Sequence, residues 1–184
     1  ILIHKGLDFL AAEGTIATGS LRRKAQWLNR YPTHQVENLR GNVNTRLQKL
    51  EDNDWNGAIF AAAGLERINL KPENFIDLDW MIPAPAQGAM LIVAKENDDF
   101  CKEAVAQLND KNTAICVEIE REFLRVLEGG CTAPIGALAT ITNETVEFTG
   151  ALFSLDGKTK LEEKASFSLN NYKNQGEKAA KAIL

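Results

Sequence analysis

Between residues 15 and 70, a short β-prone run closed by a turn and followed by a helix-prone stretch occurs three times, and this repetition constrains the fold more than any other feature. "TIATG" (15–19) leads through Ser20, a helix-capping residue type, into "LRRKAQWLNR", where Leu21, Ala25 and Leu28 share one face and Pro32 enforces a stop. "HQVENLR" (34–40) alternates like a strand, "GN" (41–42) turns the chain, and Asn42 can cap "VNTRLQKLEDN", with Val43, Leu47 and Leu50 at helical spacing. "GAIFAAA" reads as a buried strand, and "GLERINL" as a short helix ending before Pro72. Strands alternating with helices at this spacing predict a parallel sheet with crossover helices.

From residue 71 to 97 the pattern changes. "PENFIDLDWMIPAPAQG" holds three of the five prolines and then gives way to the apolar strand "AMLIVAK", which marks a hinge. Helices are expected at about 98–108 and 112–128, the second with Ile115, Ile119, Phe123, Leu124 and Leu127 on an apolar face. "GALATIT", "TVEFTGALFSL" and "KTKLEEKASFSL", with turns at "TNE" and "LDGK", predict a three-stranded antiparallel sheet, and "GEKAAKAIL" a final helix. The expected fold is α/β followed by a small α+β domain. The domains are placed at 1–82, 83–108 (hinge, strand and helix) and 109–184.

The 184 residues carry a formal net charge of −4. Residues 1–70 hold nine Lys/Arg against seven Asp/Glu, the remainder twelve against eighteen, so the basic residues concentrate early. A net acidic chain without aromatics interleaved among its basic residues excludes nucleic acid as the expected partner. No apolar run approaches the ~18–20 residues of a membrane span, and the first residues lack a secretory signal pattern. Three cysteines, at 101, 116 and 131, with no CxxC pair predict neither a disulfide framework nor a metal site, and a reducing cytoplasm is the expected setting.

Five arginines stand at strand-to-helix junctions: Arg22 and Arg23 after "TGS", Arg40 and Arg46 around "RGN", and Arg67 after the third strand. In an open parallel sheet these junctions share the edge where ligands bind, and helix N-termini add free N–H groups there, which predicts a site for several carboxylates or phosphates. In "LEGGCTAPIG" (127–136), Cys131 follows two glycines near a helix end. Those glycines read as a helix cap beside a packed thiol, or as a loop that presents the sulfur. Cys101 and Cys116 fall within helices and read as packing. His4 and His34 supply no motif for a thiol-protease dyad. An α/β solute-binding or sensor module is the alternative reading of such a basic edge.

Taken together, these segments resemble the porphobilinogen deaminase (hydroxymethylbilane synthase) family. "TGSLRRKAQ", "LRGNVNTRLQKL", "AAGLERI", "PAQGAM" and "EREFLRVLEGGCTAPIG" follow that family's motifs in order along nearly the whole chain. The resemblance implies a cytoplasmic, monomeric transferase of haem biosynthesis that condenses four porphobilinogen molecules into hydroxymethylbilane and releases ammonia. It also implies a dipyrromethane cofactor held through a thioether, with Cys131 as the matching anchor, and a type II periplasmic-binding-protein-like fold in the family's first two domains. By the same resemblance, Ser20, Arg22, Arg23, Arg40, Arg46 and Arg67 bind cofactor and substrate carboxylates, while Thr18, Gly41, Asn42, Gln87 and Gly88 shape the cleft. The family's catalytic aspartate matches nothing here; most of the first domain would precede Ile1, no catalytic residue is assigned, and the chain alone is expected to be inactive. Two departures stand out: Gly19 replaces a usual serine, and Ala86 a usual glycine.

Overall fold

The computed structural model describes residues 1–127 and 133–184. They divide into two compact units, the first made of residues 1–81, 133–134 and 152–160, the second of the rest.

The first unit is built on a five-stranded sheet of order β3-β2-β4-β1-β5, from β1 (Leu2–His4), β2 (Thr15–Thr18), β3 (Gln35–Asn38), β4 (Gly57–Ile59) and β5 (Phe75–Ile76). The sheet is mixed, which corrects the all-parallel expectation. β2 runs parallel to β3 and β4, whereas β1 is antiparallel to β4 and β5. The helix-linked strands are parallel because each crossover returns the chain to the same end; β1 and β5 are not joined to their neighbours by such crossovers, and both escaped the sequence reading because they are only three and two residues long.

Period-two alternation sends neighbours to opposite faces of the sheet. Ile3, Ala17 and Ala58 pack with Leu50 of α2 (Val43–Asp52) and Leu65 of α3 (Ala62–Glu66). Leu2, Ile16 and Ile59 pack with Trp27 of α1 (Leu21–Arg30) on the other face. Adjacent strands β2 and β3 therefore send their following helices to opposite faces, which opens a crevice at their carboxyl ends. Both caps are as expected: Ser20 Oγ accepts from Arg23 N at 3.4 Å, and Asn42 Oδ1 from Thr45 N at 2.9 Å.

The second unit contains α4 (Asp99–Ala106), α5 (Lys111–Val126), α6 (Gln175–Ala182) and most of a three-stranded sheet of order β6-β7-β8. Those strands are β6 (Ile135–Thr142), β7 (Thr145–Phe153) and β8 (Lys160–Ser168). Hairpin connections make the sheet antiparallel, as expected. The apolar face of α5 buries Ile119 and Phe123, and Gly150 is needed because an added Cβ would lie 2.5 Å from the Phe123 ring.

The strand expected at "AMLIVAK" is not formed. Met90, Leu91 and Val93 are 86%, 78% and 79% exposed, and no described strand pairs with this segment. Its apolar composition is that of a buried strand, but a ladder also needs a partner. Among the described residues, no helix is long and apolar enough to cross a membrane, and no cluster of three metal-ligating side chains occurs.

Candidate functional site

The crevice at the ends of β2 and β3 gathers most of the expected residues. Thr18, the last residue of β2, is buried and accepts from Ser20 N through Oγ1 at 3.3 Å. The chain then enters α1, whose first turn carries Arg22 and Arg23. Gly19 approaches the neighbouring strand end so closely that a Cβ there would lie 2.4 Å from Leu39 O. The usual serine does not fit this backbone, which accounts for the first departure from the family pattern.

Arg22 is 9% exposed, and its pKa falls to about 10, first through burial and then through the Arg23 charge. The Arg23 guanidinium is also pushed down, by burial and by Arg46, and its Nη1 donates a long 3.5 Å hydrogen bond to Ile59 O at the end of β4. Three guanidinium groups, from two helix starts, thus lie close enough for Arg23 to act on Arg22 and Arg46 on Arg23. Like charges gathered against a desolvation cost form a surface that an anion stabilises.

Arg46 is held by its Nε, which donates to Gly41 O at 2.8 Å. Gly41 has φ 122°, and a Cβ there would meet Thr45 Cγ2 at 2.8 Å, so this turn demands glycine. Asn42 caps α2 and also accepts from Thr45 Oγ1 at 2.9 Å. Arg40 is exposed in the loop between them, its carbonyl accepting from Lys49 Nζ at 3.1 Å. Arg67 stands apart from this group: it is exposed at the C-cap of the five-residue α3, away from the start of that helix.

Gln87 and Gly88 belong to the second unit. Gln87 N donates to Ala84 O at 2.9 Å, and Gln87 Oε1 accepts from Ala84 N at 3.3 Å, which closes a turn with Ala86 at φ 61° and Gly88 at φ 89°. The second departure therefore retains the left-handed backbone that usually selects glycine.

Sequence reasoning missed Glu120. Buried on the apolar stripe of α5, it accepts from Ala86 N through Oε2 at 2.6 Å and from Ala139 N through Oε1 at 2.8 Å. Its signal was available: a charge between Ile119 and Phe123 on an apolar face requires buried partners. A cavity of about 580 Å³ in this unit is lined by Glu120, Gln87, Thr113 and Cys116, among others. Burial pushes the Cys116 thiol up, and hydrogen bonding to Asp98 does the same for Cys101. Cys101 is exposed, against the expectation that it packs. Cys131, together with Gly129 and Gly130, lies outside the described residues.

Comparison with known proteins assigns the chain to a family. Residues 1–103 match the family model described as "Porphobilinogen deaminase, dipyromethane cofactor binding domain", and residues 114–184 match "Porphobilinogen deaminase, C-terminal domain". The chain belongs to the porphobilinogen deaminase family. A porphobilinogen deaminase of Macrococcus caseolyticus is 38% identical over 183 residues, 98% of this chain and 59% of its own length. One of Campylobacter jejuni is 41% identical over 183 residues, 96% of this chain and 59% of its own. One of Syntrophotalea carbinolica is 42% identical over 150 residues, 80% and 48% of the two chains. The chain thus spans about half to three-fifths of the length of these relatives. The solute-sensor alternative gains no support from porphobilinogen deaminase matches over both halves of the chain.

Proposed function

We propose that this chain is the cofactor-holding and carboxylate-binding part of a transferase of tetrapyrrole biosynthesis. The reaction condenses four porphobilinogen molecules to hydroxymethylbilane, with release of ammonia, on a dipyrromethane primer joined to Cys131. The observation that carries this reading is the burial of Arg22 and Arg23 at a crevice within the domain matched as cofactor-binding, where desolvation first, and then the charges of Arg23 and Arg46, push their pKa values down.

The donor set fits such a group, since every pyrrole ring brings an acetate and a propionate, and guanidinium groups meet carboxylates in bidentate geometry. When bound, the primer supplies the covalent end on which the product grows. The chain's own residues bind and orient. Ser20 and Asn42 satisfy amides of the first helical turns with their side chains, which fixes the helix starts and therefore the arginines. Arg46, held by Gly41 O, loses less freedom when it meets a carboxylate. Thr18 and Gly41 shape the floor, Arg40 and Arg67 supply exposed cationic contacts to incoming carboxylates, and Gln87 with Gly88 contributes a further polar turn.

On this reading residues 1–82 are the family's second domain, of type II periplasmic-binding-protein-like architecture, 83–108 return to the first, and 109–184 form the third. The crevice between β2 and β3 supports the first assignment, and the unpaired apolar stretch at 90–93 supports the second. A cytoplasmic, monomeric enzyme is the expected setting.

Peptide mapping of active protein purified from its own cells tests the proposal. The Cys131 peptide should carry the mass of a dipyrromethane thioether, while Cys101 and Cys116 stay unmodified. An unmodified Cys131 in active protein overturns the assignment.

A further inference from the structure

The turn between β7 and β8 is a stiff prong. Ser154 N donates to Thr159 O at 3.0 Å and Thr159 N to Ser154 Oγ at 3.0 Å, while Ser154 Oγ donates to Asp156 Oδ1 at 2.6 Å. Asp156 Oδ1 also accepts from Lys158 N at 3.1 Å, and Gly157 N donates to Ser154 O at 3.0 Å. The loop is thus ordered by its own hydrogen bonds before it touches anything else.

Its tip lies flat on the backbone of α1. Gly157 has φ 74°, and a Cβ there would lie 2.6 Å from Ala25 O, 2.8 Å from Asn29 N and 2.8 Å from Leu28 Cβ. Both conformation and contact therefore require glycine. Asn29 Nδ2 locks the contact by donating to Gly157 O at 2.8 Å. At the base of the prong, Phe153 N donates to Pro134 O at 3.1 Å, and both residues are buried. Pro134 follows Cys131 by three positions, and α1 carries Arg22 and Arg23 in its first turn. Asn29, Pro134, Phe153 and Gly157 all belong to the first unit.

We propose that Asn29 and Gly157 are positioning residues: the prong, locked on α1, fixes the spacing between the Arg22–Arg23 pair and Pro134, three positions after Cys131 in the sequence. The functional part of this inference rests on the reading of Cys131 as the cofactor anchor. A growing chain tethered at one end meets the arginines only if the tether is set at the right distance from them, and misplacement by about an ångström is costly in rate. The spacing acts on the tethered end. Binding of free substrate depends on the arginines, which the prong does not touch in the contacts described above.

Asn29→Asp is the primary test, because it keeps the shape and replaces the donor with an oxygen that repels Gly157 O. Gly157→Ala is the stronger variant, and Asn29→Asp remains decisive if Gly157→Ala fails to fold. Hydrogen exchange should show the Phe153 amide opening at least tenfold faster in Asn29→Asp, with the amides of 35–38 and 57–59 unchanged. In the cofactor-loaded protein, kcat should fall about three- to tenfold with KM for porphobilinogen unchanged, and Asn29→Gln, which retains the donor, should recover part of the loss. Unchanged exchange at Phe153 overturns the mechanical link. Faster exchange with unaltered kcat overturns the positioning role. If wild-type Cys131 carries no cofactor, the functional reading and the positioning role both fail, while the exchange experiment still decides the mechanical link.

Discussion

Trp27 donates its indole N–H to His34 Nδ1 at 3.2 Å, inside a cluster of rings that includes Tyr31 and Phe9. Indole nitrogen is only a donor, so Nδ1 accepts, the proton resides on Nε2, and Nε2 donates to Ala12 O at 3.1 Å. His34→Phe keeps a ring against Tyr31 but removes the acceptor. Urea unfolding should show a loss of about 1–3 kcal/mol for a buried donor left unmade, with part of it recovered when Trp27→Phe is added. Equal losses in the single and double variants would show that the hydrogen bond contributes nothing.

A similar contrast between residue type and partner separates what could be read from the sequence from what could not. α1 and α2 were legible because each joins a capping side chain to helical spacing, and both begin where Ser20 and Asn42 place them. The placing of Arg22, Arg23 and Arg46 at helix starts followed from the same pattern, whereas Arg67 falls at the end of α3 because that helix begins earlier than its sequence suggests. The direction of β1 was not legible, because a three-residue apolar run carries no record of which neighbour it pairs with. The exposed 90–93 stretch misled for the complementary reason: composition reports suitability for burial and says nothing of the partner. The prong was half legible. "LDGK" announced a turn, but its seat on α1 depends on residues 128 positions apart.

Two non-glycine residues in left-handed backbone offer stabilising substitutions. Ala86 sits at φ 61°, and Glu144 at φ 62° follows Asn143 at φ 49° in the two-residue β6–β7 turn, the conformation of a type I′ hairpin that favours glycine at its second position. Left-handed residues with a Cβ cost roughly 1–2 kcal/mol, partly offset by the entropy that glycine loses on folding. Ala86→Gly and Glu144→Gly should each raise stability by roughly 0.5–1 kcal/mol in thermal or urea unfolding. A fall at either site would mean that its Cβ makes contacts worth more than the strain.

Glu120 ties the turn at Ala86 to the β6 strand at Ala139 by accepting from both amides. Burial pushes its carboxyl up while the two amide donors pull it back, and the net direction is upward. A carboxyl with a raised folded pKa binds its proton more tightly in the folded state, so its contribution to stability falls as pH rises from the ordinary glutamate value through the folded one. Glu120→Gln should cost about 1–3 kcal/mol, because one amide then faces an N–H₂ group. The gap between wild type and variant should narrow as pH rises through that window. A gap that widens with pH would mean that the amide donors outweigh burial.

The sharpest test of the anion site compares a buried arginine with an exposed one. Arg22 holds its charge at a cost: burial first, and then the Arg23 charge, lower its pKa to about 10, which corresponds to roughly 3 kcal/mol of disfavoured ionisation. The unfolded chain keeps this proton to higher pH than the folded one, so stability recovers only above about pH 10 and the cost is fully present at neutral pH. Carboxylates offset that cost where water is largely excluded, so the interaction is screened little by salt. Arg22→Leu or Arg23→Leu in the cofactor-loaded protein should therefore weaken porphobilinogen binding by about 2–5 kcal/mol. Arg40→Leu, at an exposed position, should cost at most about 1 kcal/mol and lose most of that at high salt. Calorimetric titration at two salt concentrations separates the cases. Near-normal binding in Arg22→Leu and Arg23→Leu would remove these residues from the site and leave the crevice without its ligand.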